Sequence, residues 1–316
     1  MTQPANLTAR FRHSGAAPHL ALILVQIMFA TWPIVGKVVL RSVPTTGLVA
    51  VRVAGAALLF IALERGGGAI KRKDWPMLVI VSLLGVVLNQ LLYVKGLTFT
   101  SAINATLIGT AIPVFTLFVG VLLGQDRATF RRLGGILLAG AGVIYLIEPG
   151  RANFSSSTIT GDLLIISNSI VYGAYLAVSK DLSSRYGALT LIKWIFIVSC
   201  VFTLPVGAPA TAQMITAHLS WGIWLGILYI ILIPTAGAYY LNAWALARVP
   251  PSTVAVYIYL QPLVAFVLAP WLLGETLSWR ALVAAVLIFA GVAIVTRRAR
   301  SRSVKEISER PEALGH

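Results

Sequence analysis

The sequence predicts an all-α integral membrane protein: ten transmembrane helices arranged as two inverted five-helix repeats. Three observations lead there. The 316 residues are 58% hydrophobic and only 11% charged, where a soluble domain carries about 25% charged residues. Apolar stretches close to the roughly 20 residues that cross a bilayer as a helix recur along almost the whole length. One proline-centred stretch is written twice, as ATLIGTAIPVFTLFVGVLLG at 105–124 and VAVYIYLQPLVAFVLAPWLLG at 254–274, with Pro113 and Pro262 about 149 positions apart.

Apolar runs and their polar breaks place spans at 19–40, 45–64, 75–95, 100–123 and 130–148, then at 161–180, 187–206, 220–247, 252–273 and 279–297. Short connections rich in Gly, Pro, Ser or charge separate them, such as ERGGGAIKRKDW at 64–75. The domain reading is a tail at 1–18, a first repeat at 19–148, a periplasmic connection at 149–160, a second repeat at 161–297 and a basic tail at 298–316. The first span follows Arg10 and Arg12 but holds Pro33 and Lys37 and lacks a small-x-small cleavage site, so it reads as retained rather than as a signal peptide. The single Cys200 excludes an internal disulfide.

A formal charge of +15 raises the question of a nucleic-acid partner. Its placement answers in favour of a membrane. With a cytoplasmic N-terminus, the clusters Arg10/Arg12, Arg65/Lys71/Arg72/Lys73, Arg127/Arg131/Arg132 and the tail RRARSRSVK all fall inside, and only Arg41, Lys95, Arg151 and Arg280 fall outside. That is the positive-inside pattern. The expectation is a multi-pass inner-membrane protein with both termini cytoplasmic, no nucleic-acid partner, and anionic lipid head groups against the basic inner face.

The two halves match beyond the proline runs. LLYVKGLTFTSA at 91–102 lies over LNAWALARVPPS at 241–252, and LLAGAGVIYLI at 137–147 over VLIFAGVAIVT at 286–296. Trp32 and Lys37 match Tyr175 and Lys180, and Arg52 matches Lys193. Five spans per copy is an odd number, so the second copy must cross in the opposite sense. Inverted repeats recur in secondary transporters, where two halves rock about one central site. Pro113 and Pro262 each leave a backbone carbonyl without its helical donor, which marks both as hinge or gating positions.

These residues carry a resemblance. The two five-span halves, the fourth spans IPVFTLFVGVLLG and LQPLVAFVLAPWLLGE, and the endings AGVIYL and AGVAIV resemble the drug/metabolite transporter superfamily, specifically its EamA-type members, over about residues 19–297. The resemblance implies a ten-helix inner-membrane carrier with a central cavity between its halves, generally exporting amino acids, related metabolites or drugs. Such units often end the fourth span in Gly-Glu, as Gly274-Glu275 does; the first half has Gly124-Gln125 instead.

Charges inside spans cost roughly 2.5–3.5 kcal/mol each on insertion scales, so Arg52 and Lys193 are functional candidates, as substrate holder and gate respectively. Snorkelling is the plainer reading of Lys37 and Lys180. A cavity for a small amphipathic solute calls for aromatics with convergent amides and hydroxyls. Candidates are Trp32 in the first span, Asn89, Gln90 and Tyr93 in the third, and Asn104 and Thr110 in the fourth. Asn168, Tyr172 and Tyr175 share one face of the sixth. Tyr239 and Tyr240 lie in the eighth, and Tyr257 and Gln261 in the ninth.

All ten acids and all four histidines read as loops, tails or span ends. The expectation is therefore facilitated or exchange transport, or coupling through Glu275 or the substrate's own proton. No Ser/His/Asp set, HExxH or Walker A motif is present, which weighs against an enzyme and predicts no catalytic residue, metal or cofactor. The favoured reading is export of a small organic metabolite, amino-acid-like or carboxylate-bearing. A drug efflux carrier of the same fold and a non-transporting scaffold or lipid-handling protein are the alternatives.

Overall fold

A computed structural model describes residues 16–64, 68–123, 129–147, 157–249 and 251–296. The tails apart from residues 16–18, which open the first helix, lie outside the described residues, as do Arg65, Gly124–Gln125, Arg127 and most of the 149–160 connection, Arg151 included. Among the described residues all regular structure is helical. In chain order the helices are α1 Ala16–Val39, α2 Thr45–Leu63, α3 Trp75–Ser82, α4 Leu88–Phe99, α5 Ala102–Gly109, α6 Ile112–Leu122 and α7 Phe130–Ile147. Then follow α8 Ser157–Tyr186, α9 Ala188–Thr216, α10 Trp221–Ile230, α11 Ala238–Leu246, α12 Pro251–Val256, α13 Leu260–Leu273 and α14 Trp279–Thr296.

Several of these join into longer rods. A π-helical turn, Leu83–Val87, links α3 to α4, and a second, Ile231–Gly237, links α10 to α11. Seven stretches among the described residues are long and apolar enough to cross a membrane, including Arg72–Phe99, Ala102–Leu122 and Trp221–Leu246; Tyr257–Leu273 and Trp279–Gly291 are shorter apolar helices. Their outward faces carry apolar residues such as Leu58, Val267 and Val286. Trp221, Trp271 and Trp279 stand exposed at the same end of α10, α13 and α14, where interfacial tryptophans belong.

The sixth and seventh spans differ most from the sequence reading. The sixth span extends in both directions, so residues 157–160 belong to the first turn of α8 rather than to a connection, and the helix runs on to Tyr186. The seventh was expected to stop at 206, yet α9 continues through Pro205 and Pro209 to Thr216. Close packing accounts for that extension. A Cβ on Gly207 would lie 2.4 Å from the Ala50 Cβ and 2.6 Å from the Thr46 carbonyl, and one on Gly47 would lie 2.6 Å from the Met214 sulfur. α2 and α9 therefore touch backbone to backbone, the small-residue contact on which helix association in lipid depends.

The two repeated prolines, Pro113 and Pro262, sit beside breaks. α5 ends at Gly109, a tight turn follows at Thr110–Ala111, and Pro113 falls in the first turn of α6, where a missing N–H is tolerated. In the other half a short 3₁₀ turn, Tyr257–Tyr259, precedes α13, and Pro262 is its third residue.

Packing sorts the helices. α8 packs on α4, α5 and α6, whereas α1 packs on α10, α11 and α13. α2 pairs with α9, and α7 with α14. Substituting Gly207→Ala is expected to lower the apparent melting temperature in detergent by several degrees through overpacking against α2. Gly109→Ala, where an added Cβ meets nothing within 4 Å, should hold or raise it. Thermal unfolding of the two purified variants checks the contrast.

Candidate functional site

The helices succeed one another in antiparallel order, so the bundle has a near end, where α1 begins, and a far end, where it finishes. Between them Arg52 of α2 is 1% exposed. Its Nη1 donates to Gln90 Oε1 at 2.6 Å, and its Nε and Nη2 both donate to Thr235 Oγ1, at 3.0 and 2.6 Å. The guanidinium carbon lies 4.2 Å from the centre of the Trp32 ring, a cation–π contact worth about 2 kcal/mol when desolvated. Gln90 in turn donates to the Tyr239 hydroxyl at 2.6 Å. That hydroxyl lies 3.1 Å from both the Gly85 carbonyl and Asn89 Oδ1, either of which accepts its single proton.

The local backbone explains why these groups meet. Thr235 and Gly85 both lie in π-helical turns. Pro234 has no N–H to give, the turn widens, and the Thr235 hydroxyl donates to the Ile230 carbonyl five residues back, at 2.6 Å. Gly85 admits the ring of Tyr175, since any Cβ there would lie 2.5 Å from Tyr175 Cδ2. Trp32 stacks on Tyr93 with centroids 6.1 Å apart, and Phe196 and Phe29 meet the Tyr239 ring edge-on.

Of the residues singled out from sequence, Trp32, Arg52, Asn89, Gln90, Tyr93 and Tyr239 form this centre. The expected face of the sixth span closes against it: Asn168 donates to the Asn89 carbonyl at 2.8 Å, the Tyr172 hydroxyl accepts from Asn242 at 3.3 Å, and Tyr175 packs on Gly85. Others lie elsewhere. Tyr257 meets His19 at 2.7 Å and Gln261 donates to Gln26 at 2.6 Å, so both face α1 outside the Arg52 cluster. The Thr110 hydroxyl donates to its own helix at Leu107, Tyr240 is half-buried beside the core, and Asn104 sits at the far end. Thr235 and Gly85 went unnoticed in the sequence. The legible signal for Thr235 was the proline before it, placed one repeat offset from Gly85.

Charged contacts close both ends. At the near end Lys193 pairs with Glu64 Oε2 at 2.5 Å, Thr190 donates to Glu64 Oε1 at 2.5 Å, and the Gly68 carbonyl accepts from Lys193 and the Trp194 indole. Lys193 thus bonds to a side chain just past α2, and the expected match with Arg52 does not extend to environment: one cation has a carboxylate, the other has none among the described residues. Lys180 donates to the Val249 carbonyl at 3.3 Å, beyond the end of α11. Asp74 accepts from Arg185 at 2.9 Å and from the Tyr186 hydroxyl.

At the far end, Glu275 accepts from the N–H groups of Ala102 and Ile103 at 2.8 and 3.1 Å, with Lys37 3.9 Å away. The Ser101 hydroxyl accepts the Asn104 N–H, so the first turn of α5 is capped by an anion and a hydroxyl together. Asp162 is a span-end acid, as expected, but a buried one. It lies in the second turn of α8, 1% exposed, and accepts from the Thr100 hydroxyl between α4 and α5. Among the described residues no three His, Cys, Asp or Glu side chains are grouped to hold a metal ion.

The model of the EamA-like transporter family matches the chain twice, at residues 17–147 and 159–297. The chain belongs to the EamA-like transporter family. It is 27% identical over 290 residues to an uncharacterized transporter of Archaeoglobus fulgidus, covering 89% of this chain and 97% of that protein. It is 28% identical over 252 residues to a probable terminal-alkyne amino-acid exporter of Streptantibioticus cattleyicolor, covering 79% and 82%. A solved protein structure overlays with a TM-score of 0.64 at 18% identity, covering 90% of this chain and 99% of that one, which speaks to fold alone. The family and its transporter-named relatives indicate a multi-pass membrane transporter rather than an enzyme.

The near-end ion pair yields a stability test. Lys193→Met leaves Glu64 buried beside an apolar chain and is expected to cost about 3–5 kcal/mol. Adding Glu64→Gln should recover most of the loss. Unfolding of the two single variants and the double variant in detergent measures the coupling.

Proposed function

We propose that this protein is a secondary transporter of ten spans in two inverted repeats, moving a small organic, carboxylate-bearing metabolite across the inner membrane by alternating access, in the direction of export. The observation that carries this reading is the Arg52 cluster. It is a buried cation at the middle of the bundle, held by polar atoms from both halves of the chain, and buried charge inside a membrane protein marks the path of a substrate.

Three features support the repeat. The family model matches once per half. The π-helical turns fall at corresponding positions of the two halves. Exchanging halves also maps the packing onto itself: α1 with α11 and α13 becomes α8 with α4 and α6, while α2–α9 and α7–α14 map to themselves. Two rocking groups follow, one built on α8 and one on α1. Gln90–Tyr239 and Asn242–Tyr172 join them at the centre, Glu275 joins them at the far end and Lys180 at the near end. Pro113 and Pro262, each beside a helix break, are the hinge points, and Lys193 with Glu64 seals the near end. The relative named as an amino-acid exporter supports an organic substrate and an outward direction. The inner membrane and cytoplasmic termini follow from the basic clusters, and anionic lipids are the partners those clusters imply.

Counterflow exchange in proteoliposomes tests the proposal, with pooled labelled amino acids and carboxylates. Saturable exchange is expected, and Arg52→Ala and Gln90→Leu should each reduce it at least tenfold while the protein remains monodisperse. No exchange with any pool would speak for a scaffold.

A further inference from the structure

We infer that the central site takes a substrate of net charge −1, a monocarboxylate with an apolar or aromatic body, in preference to a zwitterionic amino acid. The inference rests on the transport reading above and narrows its substrate class. It begins with what Arg52 lacks. Its three hydrogen bonds end on the neutral oxygens of Gln90 and Thr235, which leaves one N–H on each terminal nitrogen without an acceptor among the described residues. The ion pairs Lys37–Glu275, Lys193–Glu64, and Arg185 with Asp74 and Asp181 do not reach Arg52. Along α2, Glu64 is twelve residues away, about 18 Å at 1.5 Å per residue. Asp162 is bonded to Thr100 at the far end. Among the described residues the centre therefore carries an uncompensated positive charge.

Charge balance then discriminates between ligands. A carboxylate on the two open N–H groups makes a bidentate, charge-assisted pair and brings the site to neutrality. A zwitterion supplies the same carboxylate but adds an ammonium, which restores the unbalanced charge and needs an anionic partner that the described centre does not hold. Of the candidate acceptors, Asn89 Oδ1 and the Gly85 carbonyl, the single Tyr239 proton occupies one, and the oxygen that is left is neutral and cannot balance an ammonium. An amine or an ester cannot neutralise Arg52 at all. The walls, Trp32 stacked on Tyr93 and Phe29 and Phe196 against Tyr239, favour an apolar body over a polyol or a second charge.

One ring carried by four charge types provides the test. Phenylacetate, phenylalanine, phenethylamine and methyl phenylacetate are titrated into the purified full-length protein, reading thermal stabilisation and quenching of tryptophan fluorescence. Phenylacetate is expected to bind saturably, with the other three at least tenfold weaker. Arg52→Gln should lose phenylacetate binding and Arg52→Lys should retain part of it. Should Arg52→Gln fail to fold, the ligand series on the native protein still decides. Equal or tighter binding of phenylalanine, phenethylamine or the ester overturns the inference, as does the absence of phenylacetate binding to folded protein. Those outcomes leave the transport reading standing wherever the pooled counterflow shows exchange; absence of exchange removes that reading instead.

Discussion

A guanidinium held inside an apolar bundle must be satisfied by whatever polar atoms the surrounding helices can bring to it, and that requirement at Arg52 organises this molecule. The group has no carboxylate among the described residues, so neutral acceptors must substitute, and they come from separate helices. Gln90 turns one side toward Arg52 and the other toward Tyr239, so a single amide ties α2, α4 and α11 together. Thr235 reaches the guanidinium only because a proline widens its turn. Trp32 covers the face that hydrogen bonds leave open. The same arrangement that keeps the charge tolerable is thus the one that joins the first half of the chain to the second.

The two ends are closed by different chemistry suited to helix ends. At the far end a carboxylate, Glu275, meets the N–H groups that open α5; at the near end an ammonium, Lys180, meets a carbonyl beyond the close of α11. Each charge has the sign that complements the exposed backbone it touches. Glu275 also stands 3.9 Å from Lys37 at a partly exposed position, so its contact with the backbone can break without stranding a buried charge. Lys193–Glu64 is of another kind, since both partners are nearly buried and separating them is costly. It belongs with the α2–α9 pair as a fixed seal.

Much of the centre was legible in the sequence because polar residues stand out against apolar spans. Arg52, Gln90 and Trp32 are conspicuous there, and the i, i+4, i+7 spacing of Asn168, Tyr172 and Tyr175 puts them on one face, which packs against the Arg52 cluster. The same logic gave the face of Tyr257 and Gln261 correctly but not its direction: both meet α1, through His19 and Gln26. Spacing fixes which residues share a face, and only packing fixes what that face meets. Thr235 was illegible for another reason. A threonine in a span ordinarily bonds to its own helix, and only the π-helical turn after Pro234 aims this one at Arg52. Asp162 read as a span end by its position near polar sequence, whereas close packing of neighbouring Gly161, whose Cβ would lie 2.8 Å from the Thr100 nitrogen, buries it.

If the α1 and α8 groups rock about the Arg52 cluster, the two ends must open in turn. Spin-label pairs across the seam measure this directly, at Thr98 with Leu277 for the far end and at Ser184 with Arg248 for the near end, by double electron–electron resonance in nanodiscs. The account predicts two distance populations at each pair, and ligand or the Arg52→Ala substitution should lengthen one pair while shortening the other. Distances that stay fixed at both ends, or that lengthen together, would contradict it.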